Sequence, residues 1–173
     1  MIKRVMACSF LMFIIMSSQV YCEDVSQAST PGVKRQVPHK IFAPDFKLLG
    51  ISGKVWRLSE YRGKVTLLDF TTTWCPYCLR DIPFLKKLHA TYRDQGLEFA
   101  SIYVQESQKK VVSFAEKHTL PYPVLLDPDG TAAMSYGVRG FPTKVLIDRD
   151  GSLICWMCDN DSLEKYLQKL LKK

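Results

Sequence analysis

The chain has little that would let it act on nucleic acid, hold a metal or cross a membrane. Among its 173 residues are three histidines, His39, His89 and His118. They are scattered and none follows a nucleophile in a recognisable arrangement, so hydrolase and metal readings both fail. No basic run is interleaved with aromatics, although the net charge is +7. The basic residues are spread out apart from Lys169, Lys172 and Lys173, so a solvated, mildly basic surface is expected and no nucleic-acid partner. The longest apolar leader segment, residues 5–16, falls short of the ~20 residues that a membrane helix needs. There is no internal repeat and no low-complexity tract. What is present is a chain 47% hydrophobic, enough for one domain with a sizeable core and too short for two comfortable ones.

Residues 1–22 have the three parts of a secretory leader: Lys3 and Arg4, the apolar stretch, then the more polar Ser17-Ser18-Gln19. Val20-Tyr21-Cys22 fits a small-x-small cleavage site, and removal after Cys22 is the preferred outcome. A lipidated Cys22 is the rival, which Tyr21 disfavours, and an uncleaved anchor is the third option. Residues 23–38, rich in Ser, Thr, Gln, Gly and Pro, read as a flexible tether, and residues 39–173 as the folded domain. A membrane enters only through an uncleaved or lipidated leader. Export places the chain in an oxidising, periplasmic or otherwise external compartment, where cysteines are paired or handle other proteins' disulfides. Six cysteines become four once Cys8 and Cys22 leave: Cys75, Cys78, Cys155 and Cys158.

The reactive stretch is Trp74-Cys75-Pro76-Tyr77-Cys78. Two cysteines three apart close a disulfide only where the backbone turns, as at a helix start. The strand-like run at residues 65–70 leads through three threonines to Pro76, a residue tolerated in a helix's first turn. Cys75 then falls at a helix N-terminus, where unpaired amides and the helix dipole favour a thiolate. This makes Cys75 the nucleophile and Cys78 the resolving thiol.

The remaining pattern alternates strands and helices. Two short extended pieces, residues 43–46 and 54–58, flank the turn Gly50-Ile51-Ser52-Gly53. A helix from Pro76 carries Ile82, Leu85 and Leu88 on one side to about Asp94, and Pro83 inside it is expected to kink it. A strand over 97–104, a helix over 108–118, an extended piece over 123–127 and a short helix over 131–136 closed by Gly137 follow. The last third reads as a hairpin, strand 143–148, turn 149–151 and strand 153–157, before a helix. Asp161 is expected to cap that helix, with Glu164 completing a capping box, and Leu163, Leu167, Leu170 and Leu171 form its buried face. These elements predict an α/β sandwich with a mixed sheet.

WCPYC after a strand, Pro83 five residues past Cys78, and Gly140-Phe141-Pro142-Thr143 opening a later strand resemble the thioredoxin superfamily. Ala43-Pro44-Asp45-Phe46, Tyr61-Arg62-Gly63-Lys64-Val65, Tyr136-Gly137-Val138-Arg139-Gly140-Phe141-Pro142-Thr143 and Ile147-Asp148-Arg149-Asp150-Gly151 narrow the resemblance to the exported TlpA/ResA-type thioredoxin-like proteins. The resemblance implies a thioredoxin-like fold: a mixed central sheet flanked by helices, an N-terminal β-hairpin and a central helical insertion. It also implies that Pro142 is a cis-proline packed beside the active disulfide, with Phe141 offering backbone groups to a substrate chain, and that Trp74 covers the nucleophile and contacts substrate.

Asp69 lies inside the apolar strand, where burial would raise its pKa. By resemblance it matches the acid that exchanges protons with the resolving cysteine; the alternative is a solvent-facing position at a strand end. Asp81 sits where many relatives carry a glutamate near the site. Pro76-Tyr77 departs from relatives that place proline second, so the redox poise cannot be inherited. Cys155-Trp156-Met157-Cys158 is foreign to the family pattern. On a continuous strand its α-carbons would stand about 10 Å apart, beyond disulfide reach. Two unpaired structural thiols is the preferred reading, a secondary pair or relay near Cys75 and Cys78 the alternative, and metal binding the third, since two cysteines without further clustered ligands fall short of a zinc site.

The expected function is thiol-disulfide exchange at Cys75/Cys78 on protein thiol or disulfide substrates, re-supplied by an upstream redox partner and needing no cofactor. Resemblance favours a reductant, with apocytochrome cysteines as one substrate class. An oxidase or isomerase role, or a binding module for a cysteine-bearing partner or metal, is the alternative.

Overall fold

The computed structural model describes residues 40–171. The leader over 1–22 and the tether over 23–38 lie outside the described residues. The elements run β1 (Lys47–Gly50), β2 (Val55–Arg57), β3 (Val65–Thr71), α1 (Pro76–Tyr92), β4 (Leu97–Val104), α2 (Gln108–Lys117), β5 (Val124–Asp127), α3 (Thr131–Ser135), β6 (Thr143–Ile147), β7 (Leu153–Trp156) and α4 (Asn160–Leu171). They form a thioredoxin-like α/β fold with a seven-stranded mixed sheet in the order β2-β1-β5-β4-β3-β6-β7. β3, β4 and β5 are parallel, and the β1–β2 and β6–β7 hairpins and the β3–β6 pair are antiparallel.

β3 is buried at every residue, as expected for a central strand covered on both faces. Leu68 and Phe70 point to the face shared with Trp56, Ala132, Ala133 and Tyr136. Leu67 points to the other, where Leu85 and Leu88 of α1 meet Leu163 and Leu167 of α4. In register, Leu67 stands beside Phe99 and Asp69 beside Ser101 and Lys144, so Asp69 lies on the face that α1 covers. Among the described residues no helix is long and apolar enough to cross a membrane.

Two local expectations change. The first strand begins at Lys47, so residues 43–46 are not its body. Pro44 has no N–H to give a ladder, and Asp45 Oδ1 turns back to accept the amides of Phe46 at 3.0 Å and Ser59 at 2.9 Å. At the other end, Asp159 rather than Asp161 caps α4, its carboxylate accepting the Ser162 amide at 2.8 Å and the Ser162 hydroxyl at 2.7 Å. The helix starts two residues earlier than a cap at Asp161 allows.

Candidate active site

The chain leaves β3 at Thr71 and turns straight into α1, with Cys75 as N-cap residue and Pro76 at the first helical position. Cys75 Sγ accepts the Cys78 amide at 3.2 Å, using one of the orphan donors of the helix start. Its sulfur is at bonding distance from that of Cys78, with α-carbons 5.3 Å apart. The Phe141–Pro142 peptide is cis, and Cys75 Sγ lies 3.5 Å from the Phe141 carbonyl oxygen. Trp74 meets Phe141 edge to face at 6.3 Å between ring centres. Trp74 is 64% exposed and Tyr77 62%, while both sulfur-bearing residues are buried, so an apolar rim surrounds a sheltered sulfur pair. Arg80 stacks its guanidinium over Tyr77 at 4.6 Å.

Beneath this rim Asp69 is 3% exposed. One carboxylate oxygen accepts the Ser101 hydroxyl at 3.1 Å, and the other has no hydrogen-bond partner. Burial pushes its pKa from 3.8 up to about 6, with Lys144 and the Ser101 hydroxyl pulling the other way. The solvent-facing alternative for Asp69 therefore does not describe this chain. Lys144 sits opposite Asp69 in the ladder and sends its ammonium to Asp81 Oδ2, three residues past Cys78 in α1. Asn160 Nδ2 donates to the second Asp81 oxygen at 3.2 Å. Asp81, Lys144 and Asn160 line an open cleft of about 330 Å³ together with Asp159 and Asp161.

Cys155 and Cys158 have sulfurs at bonding distance and α-carbons 5.7 Å apart, which overturns the reading of two unpaired thiols. The 10 Å objection held only for a continuous strand. β7 stops at Trp156, and Met157 takes a left-handed φ of 57°, folding the chain back between the cysteines. The Cys158 amide donates to the Lys144 carbonyl at 3.1 Å, so both sulfur pairs lie at the same end of the sheet, with β6 between them.

Sequence reasoning missed Glu106. It is buried just past β4, accepting the Thr73 amide at 2.7 Å, the Thr73 hydroxyl at 2.6 Å and the Lys110 ammonium at 2.6 Å. These partners hold its pKa below the ordinary value although burial pushes the other way. Glu106 thus pins the residue that precedes Trp74 and Cys75. A carboxylate between a buried strand and a helix start was its one signal, and no spacing ties it to Thr73. Among the described residues no group of three or more His, Cys, Asp or Glu side chains is arranged to hold a metal ion.

Residues 41–155 match the AhpC/TSA family. The chain is 35% identical over 131 residues to the thiol-disulfide oxidoreductase ResA of Geobacillus kaustophilus, covering 74% of this chain and 75% of that one. A Chlorobium tepidum crystal structure, assigned as a thiol:disulfide interchange protein DsbE, is similar at 30% identity with a TM-score of 0.72, over 77% of this chain and 97% of that one. The pneumococcal exposed lipoprotein thioredoxin from Streptococcus pneumoniae is similar at 29% identity with a TM-score of 0.65, over 73% of this chain and the whole of that one.

Proposed function

Because this chain belongs to the AhpC/TSA thioredoxin-like family and is a thiol-disulfide oxidoreductase of the ResA and DsbE kind, we propose that it works outside the cytoplasm as a reductant of protein disulfides. The observation that carries the chemistry is Cys75 Sγ, held at the start of α1 between the Cys78 amide and the Phe141 carbonyl. A thiolate at that point gains from the amide and from the helix dipole.

In the reduced protein, the Cys75 thiolate attacks one sulfur of a substrate disulfide and the other sulfur leaves. The unpartnered oxygen of Asp69 takes the proton of Cys78, and the Cys78 thiolate attacks Cys75 Sγ. The substrate departs as two thiols carrying two electrons from the protein, whose Cys75 and Cys78 are left joined as a disulfide. A dithiol partner upstream restores the pair. Trp74, Pro76 and Tyr77 supply the substrate-facing rim, with Phe141 and Pro142 as the backbone edge beside it. Lys144 and Asp81 set the field around Asp69.

The leader at residues 1–22 and the exposed lipoprotein among the similar structures support a place outside the cytoplasm. The relatives' names support thiol-disulfide exchange; the reducing direction, with apocytochrome cysteines awaiting haem as one substrate class, follows from the resemblance to TlpA/ResA-type proteins. Insulin reduction tests the catalysis. The wild type should turn over, and Cys78→Ser should stall as a mixed disulfide on Cys75. Partner binding without turnover would make the chain a binding module instead. The direction is tested by the Cys75/Cys78 reduction potential: a value near the thioredoxin range, about −270 mV, supports the reductant, and one near about −120 mV overturns it.

A further inference from the structure

We propose that Cys155 and Cys158 form a second redox-active disulfide, an exchange site in its own right that accepts two electrons from a dithiol protein. The site lies outside the machinery assigned above and does not depend on that assignment.

The arrangement repeats, on different elements, what makes the first pair usable. The inner sulfur belongs to a buried residue, Cys158, packed with Leu163 and Leu167 of α4, and the outer one to half-buried Cys155 at the open edge of the sheet. An incoming thiolate therefore meets Cys155 and expels Cys158. Trp156, the next residue of β7, turns to the other face of the sheet, where its indole N–H donates to the Tyr136 carbonyl at 2.8 Å. Met157, inside the ring that the two sulfurs close, is 59% exposed and presents an apolar side chain between them. A small hydrophilic thiol gains nothing from it, whereas a polypeptide carrying a dithiol docks on it.

The backbone tells the same way. The bond closes a turn in which a non-glycine residue, Met157, is held left-handed. That conformation costs energy while the ring is closed and is released when the ring opens. A bond with one sulfur half-buried at the edge of the sheet, enclosing a strained turn, is closer to the labile kind than a fully buried structural bridge. Cys158 also lies two residues before the first turn of α4, a twelve-residue helix whose positive end favours the thiolate that leaves.

The exchange balances without any other reagent. A donor thiolate attacks Cys155 Sγ, forming a mixed disulfide while the Cys155–Cys158 bond breaks and Cys158 leaves as a thiolate. The donor's second thiolate then attacks the donor sulfur of that mixed disulfide. The donor departs oxidised, and Cys155 and Cys158 take up two electrons and, from solvent, two protons.

The experiment uses the full chain, as wild type and as Cys75→Ser/Cys78→Ser, so that electrons cannot arrive through the first pair. Each is equilibrated across a series of dithiothreitol redox buffers, and in parallel with catalytic thioredoxin and its reductase. Samples are acid-quenched, alkylated and read by peptide mass spectrometry, while circular dichroism reports the fold. The expected result is equal labelling of Cys155 and Cys158 at every step, complete while the fold persists, with both dithiothreitol and thioredoxin as donors. Labelling that waits for unfolding would make the bond purely structural. Full labelling before any reductant is added would mean two free thiols. Reduction by dithiothreitol alone would remove the protein donor. Should the double variant not fold, Cys75→Ser alone, which cannot form the first disulfide or relay electrons through it, is read in the same way.

Discussion

At neutral pH the Asp69 carboxylate is ionised within the sheet, where burial holds its pKa at about 6 against an ordinary 3.8. The folded chain binds that proton more tightly than the unfolded one, so stability falls as pH rises from about 4 through about 6 and stays at its lower value above. The shift corresponds to at most about 3 kcal/mol. Asp69→Asn should therefore flatten this fall, seen as urea midpoints at pH 4.5 and 7.5 that differ less than in the wild type. The same variant should lose about a hundredfold in turnover, the low end of what a positioned base supplies, together with the inflection near pH 6. Glu106 makes the opposite trade, since its carboxylate is fully partnered. Glu106→Ala leaves the Thr73 amide without an acceptor and should cost about 2 kcal/mol in denaturant unfolding, with turnover falling alongside. Glu106→Gln, which keeps an acceptor there, should retain most of both.

At α1 the N-cap is Cys75, the proposed nucleophile, so capping and the proposed reactivity share one sulfur. At α4 the cap is Asp159, and Asp159→Ala should lower stability by about 1 kcal/mol while Asp161→Ala changes little, which thermal unfolding would distinguish. Two aspartates two residues apart look alike in sequence, and the choice between them depends on where the turn after Cys158 releases the chain. Features that were legible beforehand are local or in fixed order: the helix start at Cys75 and Pro76, the central strand bearing Asp69, the hairpin at Gly151, the leucine face of α4. Features that were not are long-range or depend on a backbone state. Lys144 reaches Asp81 from 63 residues away, and Glu106 reaches Thr73 across 33. The closure of Cys155 on Cys158 rests on a left-handed methionine, which no propensity marks.

Across the whole molecule, the site exists only because strands distant in sequence align at one end of the sheet. β3 supplies Asp69, β6 supplies Lys144 and follows directly on Pro142, and α1 supplies the sulfurs and Asp81. Lys144 joins these elements, and its ammonium lowers the Asp69 pKa. Lys144→Ala should thus move the pH inflection of turnover upward from about 6. It should also cost stability, by roughly 2–3 kcal/mol, because Asp81 is left partly buried without its cation. A pH–rate profile and a urea titration of the same variant check both signs. The flanks of this sheet have a further consequence. β2 is three residues long, and β7 is four, with a register shift against β6 and a turned-back methionine at its end. A neighbouring copy seeking to extend the ladder finds only a few amides in line before the rail bends away. The apolar rim around Cys75 can therefore face a partner while the sheet's short, irregular edges offer little template for further strands.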